Sequence, residues 1–205
     1  PNFAGAESAA RHLTGIQQWR NARIVKANPD SPQLPVRAAA IEAGKSVYMA
    51  VPRLREERPF VLLDPGRLEG NARRLVSIRR ASELGRHVTL QDVAPVDLIV
   101  CGTVAVNRKG VRVGKGGGYS DIEFALLVEA GVVGDRTAIV TTVHPSQVVD
   151  QDLPETAHDF RVDVVVTADE VIRCRRVKRP RGILWEHLDP RKIQAVPALA
   201  ALQPR

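Results

Sequence analysis

The segment Gly114-Lys115-Gly116-Gly117-Gly118-Tyr119-Ser120-Asp121 concentrates the residues of this chain whose types and spacing could do chemistry. Its four glycines let the backbone turn with positive φ, Gly117 among them, and come close to a ligand. The β-type runs Val104-Ala105-Val106 and Val111-Arg112-Val113 precede the loop, and the helix-type run Ile122-Glu123-Phe124-Ala125-Leu126-Leu127 follows it. A helix opening directly after such a loop offers unpaired N–H groups and the positive end of its dipole, which suits a phosphate. Lys115 adds a mobile cation. A plain glycine-rich hairpin turn accounts for neither the lysine nor the helix start.

The helix start carries its own signal. Ser120-Asp121-Ile122-Glu123 fits S-x-x-E, which predicts Ser120 as the N-cap and Glu123 as the closing residue of a capping box. Asp121 then falls in the first turn, where the dipole alone favours an acid. Beside a phosphate the same carboxylate is repulsive unless a cation such as Mg²⁺ lies between them. Both readings of Asp121 stand at this level. The loop is not a P-loop, and Tyr119 occupies the place of the third glycine of G-x-G-x-x-G.

The elements that must position this loop follow from periodicity. Apolar spacing predicts a helix over residues 7–20 and a short strand at Ile24-Val25. A helix opened by Pro35 and closed at Gly44 comes next. Strands are expected over 46–51 and 60–63, and a helix over 68–84. The run 96–106 is nearly continuous in apolar residues, as in a strand buried on both faces of a parallel sheet. Further strands are expected over 137–143 and 162–167. The alternation predicts an α/β fold, three layers αβα with a mostly parallel sheet, whose ligands gather at the carboxyl ends of the strands.

A chain of 205 residues buries a full core. No apolar run approaches the ~20 residues of a membrane helix, and residues 1–28 lack the pattern of a secretory signal. Cys101 and Cys174 are isolated, which fits a reducing cytoplasm and gives no zinc motif. The formal charge of +7 suits anionic partners: nucleotides, polyglutamylated folates or nucleic acid. With aromatics at 4%, modules that stack bases are disfavoured, so a small-molecule partner is preferred over nucleic acid. The dense basic run Arg173, Arg175, Arg176, Lys178, Arg179 and Arg181 reads as a solvated edge or connector. His144 and His158 read as structural.

Several of these segments resemble the 5-formyltetrahydrofolate cyclo-ligase family, the methenyltetrahydrofolate synthetases. Residues 110–122 are similar to the family's G-x-R-x-G-x-G-G-G-Y-Y-D-R. Val96-Asp97-Leu98-Ile99-Val100 resembles its D-L-x-x-V strand. Leu153-Pro154-Glu155-Thr156-Ala157-His158-Asp159, with the run 162–167, resembles its ending L-P-x-E-x-H-D-x-x-V-D-x-V-V-T. Looser matches lie at Gly44-Lys45-Ser46-Val47 and Val51-Pro52-Arg53. The opening Pro1-Asn2-Phe3-Ala4-Gly5-Ala6, the motif Val25-Lys26-Ala27-Asn28-Pro29-Asp30 and the stretch 178–185 resemble the divergent methenyltetrahydrofolate synthetase domain-containing branch.

The resemblance implies a NagB/RpiA/CoA-transferase-like fold over residues 1–170, with a basic extension over 171–205 packed on the same domain. It implies ATP- and Mg²⁺-dependent conversion of 5-formyltetrahydrofolate to 5,10-methenyltetrahydrofolate by a cytoplasmic monomer. In that reading Gly114, Lys115, Gly116, Gly117 and Gly118 hold phosphates and Asp121 holds Mg²⁺. Arg112 orients or neutralises the loop, Tyr119 lines the pterin side, and Arg53 serves the folate or phosphate side. The chain departs from the family at Ser120 and Ile122, where typical members have a tyrosine and an arginine. Its stretch 32–37 lacks the acid that folate-binding members carry. The family's N-terminal basic helix is expected to be missing ahead of Pro1. A binding protein without turnover, regulatory or RNA-associated, and an enzyme of the same fold with another substrate are the alternatives.

Overall fold

Eight strands form one sheet in the computed structural model, which describes residues 2–68 and 70–204. Pro1 of the N-terminal motif, Glu69 of the expected 68–84 helix and Arg205 at the end of the basic extension lie outside the described residues. The chain begins with helices Ala6–Gly15 (α1) and Gln17–Asn21 (α2), then Ile24–Ala27 (β1), Leu34–Glu42 (α3), Ser46–Ala50 (β2) and Phe60–Leu63 (β3). Ala72–Leu75 (α4), Ile78–Leu84 (α5) and Arg86–Val88 (β4) lead to the central Leu98–Cys101 (β5). Ala105–Asn107 (β6) and Arg112–Val113 (β7) precede Tyr119–Glu129 (α6). Ala138–Thr142 (β8), Val148–Val149 (β9), Val164–Val166 (β10), Val171–Arg173 (β11), Pro190–Ala195 (α7) and Pro197–Leu202 (α8) complete the chain.

The large sheet runs β11-β10-β8-β5-β1-β2-β3-β4. Its middle five strands are mutually parallel, with Val25 level with Leu98 on one side and Val47 on the other. The outer strands β3, β4 and β11 are antiparallel. Alternation along each strand sends residues to two separate cores. Leu98, Val100, Val140 and Val164 face Leu13, Trp19 and Val36 of the first helices, while Ile99, Cys101, Ile139 and Val165 face Phe124 and Leu127 of α6 and Leu199 of α8. These are the expected three layers around a mostly parallel sheet.

Some expected elements are divided. The 7–20 helix breaks at Ile16, whose extended backbone (ψ 156°) separates α1 from α2. The 68–84 segment holds two short helices, because Ser77 takes an extended conformation and caps α5 through Arg80 N. The long run 96–106 is not one strand: β5 and β6 belong to different sheets. The chain leaves the large sheet at Gly102, where a Cβ would lie 2.7 Å from Asp30 Oδ2. Apolar content reported burial correctly over 98–101, but not the change of sheet or the exposure of Val104. The small sheet β7-β6-β9 leads the chain into the glycine loop.

Candidate functional site

The direction in which successive parallel strands are added to the sheet reverses between β1 and β5. From β1 the next parallel strand, β2, lies to one side, and β5 lies to the other. The loops leaving the carboxyl ends of two such strands must part, and a crevice opens between them. Here it holds a cavity of about 400 Å³. Asn28, Asp30 and Gln33 line it after β1, Pro52 and Arg53 after β2, and Gly102 and Thr103 after β5. The glycine loop closes it from the small sheet with Gly114, Lys115, Gly117, Gly118, Tyr119 and Asp121. Phe3 of the N-terminal segment adds an aromatic wall.

The loop does open a helix. Gly118 (φ 67°) is the residue before α6, and Gly116 (φ 82°) is also left-handed. Gly117 is not at positive φ; a Cβ there would instead sit 3.0 Å from the ring of Tyr119. The capping box is not formed. Reversal at Gly118 starts the helix earlier than expected, so Ser120 lies inside the first turn. Its hydroxyl accepts from Asn28 Nδ2 at 2.9 Å. Glu123, expected to close the box, turns into the interior and pairs with Lys26.

Each acid at the site meets a cation of the protein. Lys115 Nζ lies 2.5 Å from Asp30 Oδ1, with the lysine largely exposed. Arg112 Nη2 donates to Asp121 Oδ1 at 2.5 Å, and its guanidinium lies 3.9 Å from the centre of the Phe160 ring. Arg112 is buried, and its Nε has no partner. Burial pushes the Asp121 carboxyl above the usual range, while Arg112 opposes the shift. Arg53 stands on the rim with φ 58°, followed by Leu54 at 54°. Two successive left-handed residues without glycine are costly and persist only where the surroundings impose them.

Behind the wall, Arg37 is fully buried. It donates to the carbonyls of Asn28 (2.5 Å), Asp30 (3.0 Å) and Val76 (3.0 Å), fixing the loop after β1. Burial lowers its pKa to about 10, with the charge of Asp30 partly offsetting this. Lys26 also donates to Asn28 Oδ1 at 2.8 Å, so one polar chain runs from Glu123 through Lys26 and Asn28 to Ser120.

The structure therefore gathers Arg53, Arg112, Tyr119, Asp121 and the glycine loop with Lys115 around one cavity. Sequence reasoning missed Lys26, Asp30, Gln33, Arg37 and Glu123 as members of this neighbourhood. A signal existed for two of them: Lys26 and Glu123 are charges inside otherwise apolar runs. Arg173, Arg175, Lys178 and Arg181 are exposed, whereas Arg176 and Arg179 pair with Asp163. The two histidines expected to be structural differ: His144 caps a turn, and His158 meets His187 at 2.8 Å. Among the described residues no helix is long and apolar enough to cross a membrane.

Comparison with known proteins adds to this geometry. An NMR structure of Aquifex aeolicus 5,10-methenyltetrahydrofolate synthetase superposes with a TM-score of 0.56 at 23% identity, covering 89% of this chain and 88% of that one. That likeness establishes the fold. The mouse methenyltetrahydrofolate synthase domain-containing protein is 38% identical over 211 residues, which cover all of this chain and 56% of the relative. Its human counterpart is 34% identical over 211 residues, covering 54% of that protein. The chain thus spans about half the length of these relatives. The profile of the 5-formyltetrahydrofolate cyclo-ligase family matches residues 1–168, and the chain belongs to that family.

Proposed function

We propose that this chain catalyses the ATP- and Mg²⁺-dependent closure of 5-formyltetrahydrofolate to 5,10-methenyltetrahydrofolate. The observation that carries the reading is the glycine loop opening α6 onto the cavity at the β1/β5 crevice. Positive-φ glycines, the first-turn amides of α6 and Lys115 fit a triphosphate, and the unpartnered Nε of Arg112 is a further donor beside it. A magnesium ion bound with phosphates needs only one or two carboxylates, so Asp121 fits that role without a cluster of acids. When bound, ATP supplies the phosphoryl group that activates the formyl oxygen as a leaving group.

The protein's part is positioning and charge. Lys115 and the amides of residues 114–118 orient the phosphates. Arg112, held over the Phe160 ring and by Asp121, keeps positive charge next to the loop. Tyr119, Arg53 and Phe3 line the cavity that would take the folate. Gln33 also lines this cavity, and its buried carbonyl oxygen has no partner.

The test is the absorbance of methenyltetrahydrofolate formed from 5-formyltetrahydrofolate and MgATP. Turnover that needs both nucleotide and Mg²⁺ is expected; its absence with purified, folded protein overturns the enzymatic reading. A second reading, binding without turnover, is favoured by one observation. Lys115 and Arg112 are already matched by Asp30 and Asp121, which lowers the charge left for a transferring phosphoryl group. Calorimetric binding of MgATP or folate with no product would decide for it.

A further inference from the structure

The family profile ends at residue 168, yet the relatives match this chain throughout. The segment beyond 168 is built into the fold. β11 pairs with β10, Ile193 and Leu199 are buried in the core, and Ile183 N donates to Glu129 Oε1 at 2.9 Å. It returns the chain to the glycine loop. Lys192 of α7 places its Nζ 3.0 Å from the Gly117 carbonyl oxygen and 4.1 Å from the centre of the Tyr119 ring.

We propose that Lys192 is a phosphate-binding cation supplied to the glycine loop by the C-terminal segment; this rests on the nucleotide reading above. Arg112 and Lys115 each have a carboxylate partner, whereas Lys192 has none among the described residues. An ammonium carries three donors, and one carbonyl uses only one of them. Lys192 lines a second cavity of about 240 Å³, which Arg53 does not reach and which shares Gly117, Gly118 and Asp121 with the first. A polyanion laid over the loop would thus meet cations lining both cavities. α7 is fixed before any ligand arrives, so little freedom remains to be lost at Lys192 on binding.

A role limited to pinning Gly117 would need a donor, not a charge. Calorimetry with MgATP and with magnesium tripolyphosphate separates the two, using wild type, Lys192→Gln, Lys192→Arg and Arg191→Gln. Gln keeps a donor for the carbonyl and removes the charge. Arg191 is the control for net charge, being largely exposed and paired with Asp189. Lys192→Gln is expected to weaken both ligands roughly tenfold to a hundredfold, Lys192→Arg to restore most of the affinity, and Arg191→Gln to match wild type. Melting curves confirm that each variant is folded. Unchanged affinity in Lys192→Gln, or an equal loss in Arg191→Gln, overturns the proposal while leaving the nucleotide reading in place. A wild type that binds neither ligand overturns both.

Discussion

Lys26 of β1 and Glu123 of α6 form a buried ion pair directly beneath the start of the glycine loop's helix. Lys26 occupies a strand position whose neighbours Val25 and Ala27 point to the opposite core. Its ammonium meets Glu123 and Asn28, and Asn28 in turn holds Ser120. The pair therefore ties the central strand to the helix that the loop opens. Such a pair sets relative position more than it adds stability, because two charges must leave water to form it.

Breaking one half of this pair should cost about 3–5 kcal/mol, since the other charge is left buried and unmatched. Lys26→Met and Glu123→Leu are each expected to lower the urea midpoint strongly. The double variant should recover most of that loss. Chemical denaturation of the four proteins gives the coupling directly, and additive losses would show that the two charges act independently.

Asp121→Asn separates the metal from the nucleotide. If this carboxylate holds Mg²⁺, the variant should lose the increase in ATP affinity that Mg²⁺ confers. Metal-free ATP should bind as well or better, because a negative charge near the phosphates is gone and Arg112 is released from its pair. An undiminished Mg²⁺ effect, measured by calorimetry with and without EDTA, would remove Asp121 from the metal.

Gly116 and Gly118, rather than Gly117, are the positions whose backbone forbids a β-branched side chain. Val at either should cost about 1–3 kcal/mol and abolish nucleotide binding. Gly117→Ala should be milder, with a modest adjustment of the Tyr119 ring that its Cβ would touch. Comparing melting temperature with ATP affinity across the three variants checks the order.

Lys115→Ala should weaken MgATP binding about tenfold, a discounted value for a largely exposed lysine. The loss has two sources, the missing cation and the Asp30 carboxylate left uncompensated beside the phosphates. Asp30→Asn in the same background should regain part of the affinity. No recovery would mean that Asp30 does not face the ligand.

The two cysteines should differ from ordinary thiols. Burial, and to a lesser degree the Asp163 carboxylate, push Cys174 up to about 11, and burial also raises Cys101. A raised pKa favours the protonated thiol in the folded state. The stability Cys174 contributes is therefore present below the unfolded value of 9.0 and is lost as pH rises through about 11. Alkylation at neutral pH should be slow in the native protein and fast in urea. Rapid native labelling of both would contradict the full burial of Cys101 and the raised pKa of the half-buried Cys174.

Much of the molecule was legible in the residues alone. Apolar runs in 96–101, 137–143 and 162–167 marked the buried strands, because a strand covered on both faces is apolar at nearly every position. Glycines beside a lysine marked the loop, since only glycine accepts left-handed backbone without penalty. The quoted motifs marked the family. Which glycine turns left-handed was a different matter: it depends on where the small sheet releases the chain into α6, and the answer was Gly116 and Gly118. The partners of the site's charges were equally hidden. Lys115 finds Asp30 across 85 positions and Lys26 finds Glu123 across 97, pairings that arise only when β1, β5 and α6 have packed. Lys192 reaches Gly117 for the same reason. Local composition determines which segments are buried and which can turn; the folded sheet alone determines which charges meet.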